Sequence, residues 1–322
     1  MSTDPVMEAA LRGDSTAFRA LVDPHLPALH LHSYRMLGSH HDAEDAVQET
    51  LLRAWQGLAG YEGRAPLRHW LFRITTTTCL KAIERRRRTP VTDSLDVTWL
   101  EPCPDVLLDR LDDPADLVDR RESVALAFIA ALQLLPATQR AVLILRDVLA
   151  WPAAEVAGLL GTSAAAVNSA LQRARATLAA STDVTPVTRP AGERERHLVT
   201  AFLRAWADCD VDALARLLRE DVILTMPPER IRITGRDAVA RFFATVPAGG
   251  RLDLVDLVET RANGQVALAA YLPGDSAGLD CHGYGIMVLT LDTEGIAAIT
   301  GFPGPGLFPV FGLPTARVRG GR

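Results

Sequence analysis

The apolar residues of this chain change their spacing part-way along it, and that change limits the fold more than any other feature. Over residues 5–88 and again over 115–180 they recur at intervals of three and four, the repeat of helices buried along one stripe. Beyond residue 193, two helical patterns (193–207 and 211–218) give way to alternating runs at 222–226, 252–260, 265–272, 283–291 and 296–302, with a further helical pattern at 236–245. Alternation is the signature of strands. The predicted fold class is therefore multidomain: all-α modules first, then an α+β domain in which helices wrap a curved antiparallel sheet. Pro90, Pro102, Pro104 and Pro114 mark residues 89–115 as an irregular linker, and the polar, Pro-containing 181–192 as a second one. The expected modules are 1–88, 116–180 and 193–322.

Charge is distributed unevenly over this frame. The net charge is only −5, but residues 61–88 carry Arg64, Arg68, Arg73, Lys81 and Arg85 to Arg88 against Glu62 and Glu84. The linker then reverses sign, with Asp93, Asp96, Glu101, Asp105, Asp109, Asp112, Asp113 and Asp116 opposed by Arg110. Such blocks speak of partners rather than fold, and a basic segment followed by an acidic one implies nucleic-acid contact by one part only. Hydrophobic residues make up 48% of the 322, enough for several cores. No apolar run is long enough for a membrane span, and the N-terminal residues lack a signal-peptide pattern, so a cytoplasmic protein is expected. Cys79, Cys103, Cys209 and Cys281 form no CxxC pair, and His25, His30, His32, His40 and His41 fit no standard ligand spacing. Neither a metal nor a cofactor is expected.

Two helical segments carry surface patterns of interest. Asp42 is a candidate cap for a helix burying Ala43, Val47, Leu51, Ala54 and Leu58, which leaves Asp45, Gln48, Glu49 and Leu52 on the opposite face. In the middle module, a short helix over 153–160 meets Gly161-Thr162, and Ser163 caps a second helix. Val167, Ala170, Leu171, Ala174 and Leu178 of that helix point inward, while Asn168, Gln172 and Arg175, flanked by Ser169 and Arg173, face out. This is the layout of a helix-turn-helix, whose second helix enters the major groove. Asn and Gln can read adenine edges, and arginines more often hold phosphate. A plain helical hairpin with a solvated face fits the same pattern.

Three stretches resemble the sigma-70 family in the order that family uses. DAEDAVQETLLRAW (42–55) resembles regions 2.1–2.2, YEGRAPLRHWLFRITTTTCLKAIERRRR (61–88) resembles regions 2.3 and 2.4, and LLPATQRAVLILRDVLAWPAAEVAGLLGTSAAAVNSALQRARATL (134–178) resembles region 4. No region 3 domain intervenes, as in the extracytoplasmic-function group. The resemblance implies a subunit that binds core RNA polymerase, through the clamp helices of the largest subunit and the flap of the second-largest, and that recognises promoter DNA. It assigns Asp42, Asp45, Gln48, Glu49 and Leu52 to polymerase binding. It assigns Tyr61, Arg64, Arg68, Trp70, Arg73, Thr77, Lys81, Arg85 and Arg86 to the −10 element, and Ser163, Ala165, Asn168, Ser169, Gln172, Arg173 and Arg175 to the −35 element. Unpaired bases stack on aromatics beside a positive track; Tyr61, Trp70 and Phe72 offer such surface, although Trp70 and Phe72 fit a core equally well. The sequence departs from the family at Arg64-Ala65, at Thr75 to Thr78, and at Asn168 and Ala170, which weakens any reading of base preference. The linker stretch WLEPCPDVLLD (99–109) is too apolar for a simple tether, and a contact with polymerase is expected for it.

Residues 193–302 resemble the SnoaL-like cone, carried by Asp212 to Leu218, Asp221 to Met226 and Ile233 to Phe242; the tail GPGLFPVFGLP resembles the end of a sigma-factor subset bearing this domain. The resemblance implies modulation in cis, with a small ligand or an anti-sigma factor as candidate partners of the domain. Trp206, Tyr271, Asp280, His282 and Tyr284 are the candidate pocket residues, the last three sharing one strand face by period two. No catalysis is expected. The alternatives are a polymerase-independent helix-turn-helix regulator and a SnoaL-like enzyme with a DNA-binding appendage.

Overall fold

The computed structural model describes residues 5–63, 65–88, 100–108, 124–180, 192–274 and 280–318. The chain forms two compact units, one made of Met1–Leu95 with Leu107–Val184, the other of Asp96–Val106 with Thr185–Arg322. Among the described residues, no helix is long and apolar enough to cross a membrane.

The first unit is helical. Asp14 caps α2 (Ser15–Val22), which follows α1 (Pro5–Leu11), by accepting hydrogen bonds from the Thr16 and Ala17 amides. The centre of the unit is α3 (Leu26–Leu37), buried at every position from Leu31 to its end and stopped by Gly38 at φ 74°. Against it pack α4 (His40–Gly57) and α5 (Leu67–Arg88). The cap of α4 is Ser39, whose hydroxyl accepts from the Asp42 amide at 3.1 Å, so Asp42 is a first-turn residue and not the cap expected from sequence. Its carboxylate instead pairs with Arg86 on α5. The short helix α6 (Asp105–Leu108) has its first two residues in the second unit and its last two in the first; the first unit continues with α7 (Leu126–Gln133), α8 (Ala137–Leu143) with a π turn at Ile144–Val148, α9 (Ala153–Leu160) and α10 (Ala164–Ala180).

The two helical halves share one core. Arg140 on α8 is 6% exposed and spends its guanidinium on carbonyl oxygens: Met36 at the end of α3, Gln133 (main chain at 3.0 Å and side chain) and Leu135 at 3.1 Å. These are the orphan acceptors that helix C-termini leave behind. Nearby, Gln133 Nε2 donates to the Arg35 carbonyl. Trp151, before α9, stacks on His69 of α5 at 4.2 Å between ring centroids and meets the buried Phe72 at 5.6 Å, while His69 pairs with Glu155 at 3.1 Å. Phe72 is thus a core residue.

In the second unit, α11 (Gly192–Ala207) and α12 (Val211–Leu217) precede β1 (Leu218–Thr225), β2 (Arg232–Thr234), α13 (Arg236–Thr245), β3 (Asp256–Ala262), β4 (Gln265–Pro273), β5 (Asp280–Leu291) and β6 (Ile296–Pro303), with α14 (Leu307–Val310) and β7 (Ala316–Val318) at the end. The sheet order is β2-β1-β6-β5-β4-β3, with β7 added to β5. All pairings are antiparallel except β1 with β6, which is parallel, so the sheet is mixed. Phe202 and Trp206 of α11, Leu214 of α12 and Val239 and Phe243 of α13 fill its concave side against Leu224, Leu268, Leu289 and Ile299. The convex side is covered by the tail. Phe308 packs there with Tyr271 and Cys281, over Gly283, where a Cβ would come within 2.8 Å of the Phe308 ring.

Replacing Arg140 by Ala deprives four carbonyl oxygens of their donor, those of Met36 and Leu135 buried and the two of Gln133 partly so. We expect Arg140→Ala to lower the unfolding free energy of the helical unit by about 3 kcal/mol, measured by urea denaturation.

Candidate nucleic-acid interface

The helical unit presents its polar residues in two stripes. On α5, Leu71, Phe72, Thr75, Thr76, Thr78 and Cys79 are buried, which leaves Arg73, Thr77, Lys81 and Arg85 exposed at intervals of four. The stripe is positive, and a turn separates each of its residues from the next. Arg68, also exposed, lies over the Phe72 ring at 5.5 Å. Thr77 gives its hydroxyl to the Arg73 carbonyl. Arg86, although on the same helix, is engaged by Asp42 and reaches the Leu37 carbonyl at 3.5 Å, so it ties α5 to the rest of the fold. The loop before α5 is shaped by Gly63 at φ 70° and by the Tyr61 hydroxyl, which donates to the Ala65 carbonyl at 2.6 Å. Tyr61 meets the half-buried Trp70 at 5.2 Å. Arg64 lies outside the described residues.

Two histidines beneath this stripe are held neutral. His32 on α3 is fully buried; its Nε2 is 2.9 Å from the Thr76 hydroxyl of α5, and burial, helped by Arg35, pushes its pKa down to about 3. His30, stacked on His40 at 4.9 Å, falls to about 4 for the same first reason, with His40 adding repulsion. Of the histidines that crowd this part of the sequence, His32 and His40 are buried, His25 and His30 half-buried and His41 exposed, and among the described residues no group of three or more His, Cys, Asp or Glu could hold a metal ion.

On α4, Asp45, Gln48 and Leu52 are exposed, Leu52 at 59%, with Glu49 beside them paired to Arg53 at 2.7 Å.

The second stripe lies on α10. Gly161 at φ 65° ends α9, and the Ser163 hydroxyl accepts from the Ala166 amide at 3.2 Å, opening α10. Val167, Ala170, Leu171 and Ala174 are buried; Ala165, Asn168, Ser169, Gln172, Arg173 and Arg175 are exposed. Arg175 is bound through two nitrogens to Asp147, at 2.7 and 2.9 Å, so in this state it braces the helix rather than standing ready for phosphate. That leaves Asn168, Ser169, Gln172 and Arg173 as the outward polar set.

In the second unit the five candidate pocket residues part company. A cavity of about 190 Å³ opens in the cone, and Trp206 and Tyr284 line it. Tyr271 does not. Ala270 and Leu272 face the cavity, so alternation turns Tyr271 to the convex side, where its hydroxyl donates to the Pro314 carbonyl at 3.0 Å. Asp280 and His282 do share an exposed face with Tyr284, yet they lie at the end of β5 that pairs with β7, beyond the cavity wall. Among the described lining residues none is a carboxylate, imidazole, amine, thiol or aliphatic hydroxyl.

The same unit holds part of the linker. Leu100, Pro102, Cys103 and Pro104 are buried, and Pro104 bridges Ala262. The β3–β4 turn consists of Asn263 and Gly264, at φ 57° and 67°, the left-handed pair of a type I′ hairpin. Cys103 exchanges hydrogen bonds with Asn263, its amide donating to Oδ1 and its carbonyl accepting from the Asn263 amide, both at 2.8 Å. Asp105 accepts from the Gly264 amide at 2.6 Å and pairs with Arg261, which also binds Glu195 at 3.0 Å. Burial opposes the Arg261 charge, but Glu195 and Asp105 outweigh it and raise its pKa. Nothing in the sequence pattern announces this strap; the apolar cast of the segment points there to a polymerase contact instead.

A basic stripe, a helix-turn-helix and an appended cone define a promoter-recognition subunit of bacterial transcription. Family models agree in order: Sigma-70 region 2 over residues 21–89, Sigma-70, region 4 over 125–178, and the SnoaL-like domain over 199–297. The chain is 42% identical over 326 aligned residues to the ECF RNA polymerase sigma factor SigG of Mycobacterium tuberculosis, covering 94% of this chain and 85% of that protein. It is 33% identical over 220 residues to SigJ of the same species, covering 65% and 67%. The crystal structure of M. tuberculosis SigJ matches with a TM-score of 0.65 at 26% identity, over 92% of this chain and 99% of that one. The chain belongs to the ECF RNA polymerase sigma factors: it binds core RNA polymerase and directs initiation at promoters, recognising −10 and −35 elements.

The neutral His32 gives the region a pH signature. In the unfolded chain it takes a proton near pH 6.5, in the fold only near 3, so the stability it permits is whole above 6.5 and is lost as pH falls. Between pH 7.5 and 5.5 this one group should remove about 1.4 kcal/mol, and His32→Gln should flatten that slope in urea titrations at the two pH values.

Proposed function

We propose that the C-terminal unit of this sigma factor modulates it in cis by holding the linker between its two promoter-binding halves. The observation that carries the proposal is the strap: Leu100 and Pro102 to Pro104 are buried, Cys103 and Asp105 bond the Asn263–Gly264 turn, and Arg261 pins Asp105. An apolar, acidic segment kept there is withheld from the polymerase. Its release frees it for the positively charged channel along which a sigma linker runs, and raises initiation. The factor works in the cytoplasm, with the polymerase.

The recognition surfaces follow from exposure. Asp45, Gln48 and Leu52 meet the polymerase clamp; Arg68, Arg73, Lys81 and Arg85 track the −10 strand; Asn168, Ser169, Gln172 and Arg173 face the −35 duplex. Size adds a constraint. The −10 and −35 elements lie roughly 25 base pairs apart, about 85 Å of duplex, whereas a compact unit of this length is about 40 Å across. Both elements are reached together only after the helical halves separate, so the packed arrangement around Arg140 and Trp151 is the form off the promoter.

Two measurements test these assignments. Asn263→Gly with Asp105→Ala removes the side-chain hydrogen bonds of the strap while the turn keeps a residue suited to positive φ, which weakens docking by about 2–3 kcal/mol. Alkylation of Cys103, 1% exposed in the strap, should accelerate by about 30- to 150-fold, the same free energy expressed as a rate ratio, and run-off transcription should rise; unchanged output with a labile Cys103 refutes the cis proposal. Arg73→Ala with Lys81→Ala should flatten the salt dependence of open-promoter binding by about 0.7 in slope for each phosphate that is no longer neutralised.

A further inference from the structure

The cone of the second unit ends in a cavity for which promoter recognition has no use. It is about 190 Å³, and its walls are Trp206, Phe242, Phe243, Phe302, Met226 and Met287 among aliphatic neighbours. Its size suits a small guest: an apolar cavity of roughly 150 Å³ is enough to take up benzene. The side-chain polar groups on the wall are few and accounted for. The Trp206 indole N–H already donates to the Val255 carbonyl at 3.3 Å, and the Tyr284 phenol stands at an exposed position, 47% accessible. Nothing in the wall compensates a charge, and an uncompensated ion in such surroundings is excluded by desolvation.

The entrance carries its own sign of use. Val246, Pro247 and Ala248 line the cavity, and the backbone there turns through three consecutive left-handed residues, Ala248 at φ 47°, Gly249 at 66° and Gly250 at 84°. Ala248 has no glycine's freedom and is strained. Gly250 is required, since a Cβ would lie 2.1 Å from the Ala244 carbonyl. Val246, beside it, remains 57% exposed. A costly loop with an exposed valine frames an apolar hole, the arrangement of a clamp for an apolar guest rather than of a packing fault.

We propose that the cone is a receptor site for a small uncharged aromatic or alicyclic molecule, of about one to two fused rings. Soft thioethers and aromatic faces suit a flat, polarisable ligand. With no acid or base in the described wall, the site binds its guest without transforming it.

The test is isothermal titration of the full chain with naphthalene and with 2-naphthoate. Naphthalene should bind with a dissociation constant on the order of 10 µM, and the carboxylate at least about tenfold more weakly. Ala270→Phe, which fills the cavity from β4, should weaken naphthalene by at least about tenfold; should that variant lose its cooperative thermal transition, Leu257→Trp fills the same space from β3. Absence of naphthalene binding up to its solubility overturns the proposal. So does equal binding of naphthoate, or binding untouched by a folded filling variant.

Discussion

One guanidinium, together with the contact of Trp151 with His69 and Phe72, joins the two helical halves of the first unit. Arg140 offers five N–H donors; four are met by carbonyl oxygens at the ends of two helices and on Gln133, and among the described residues its Nε has no partner. Burial, with Arg86 adding repulsion, lowers its pKa to about 10, which still leaves it charged at neutral pH. A charge held by carbonyl dipoles rather than by a carboxylate has no counter-ion to lose to salt. It closes the C-termini of α3 and α7 at once, and thereby fixes where α8 to α10 stand relative to α5. The stripe on α5 and the outward face of α10 both lie on helices that this guanidinium orients.

The second unit is governed by a hairpin instead. β3 and β4 wall the cavity with Leu257 and Ala270, then end in the Asn263–Gly264 turn that grips the strap. One pair of strands thus borders both the hole in the cone and the linker. The turn's two left-handed residues aim their amides outward, and Asp105 and the Cys103 carbonyl satisfy them.

Helical segments are legible because a stripe repeating every three or four residues has one solution. The helical pattern expected over residues 5–88 contains Leu67–Arg88 as one helix, and the faces assigned to Asp45, Gln48, Asn168 and Gln172 are exposed. The cap of α4 is legible too, but at Ser39 rather than Asp42: a serine three residues upstream of an acidic side chain is the better start signal. Tyr271 falls on the wrong face when its strand is read without its phase against the cone; Ala270 and Leu272 set that phase, and both are too small or too common to announce it. The strap has no local signal of its partner. Asp105 and Gly264 are 159 residues apart, and only the hairpin-type Asn-Gly and the apolar cast of the linker hint that something docks. The parallel pairing of β1 with β6 is likewise a long-range choice that alternation cannot express.

On the proposed recognition surfaces, the packed helical unit is too short for the span of a promoter, and binding then does work on the Arg140 cluster. A polymerase shifts this equilibrium only by its differential affinity for the separated halves. If separation costs on the order of 3 kcal/mol, the figure for uncovering a buried charge, the closed form outweighs the open one by about a hundredfold, and apparent affinity for core enzyme falls by that factor. Under the proposed modulation in cis, the strap acts on the same balance: a linker segment held at Leu100 to Asp105 is withheld from the open, polymerase-bound form, which widens the gap that polymerase has to close. Weakening Arg140 and weakening the strap therefore push in one direction through different structures, which makes their effects on core affinity additive unless the two open together.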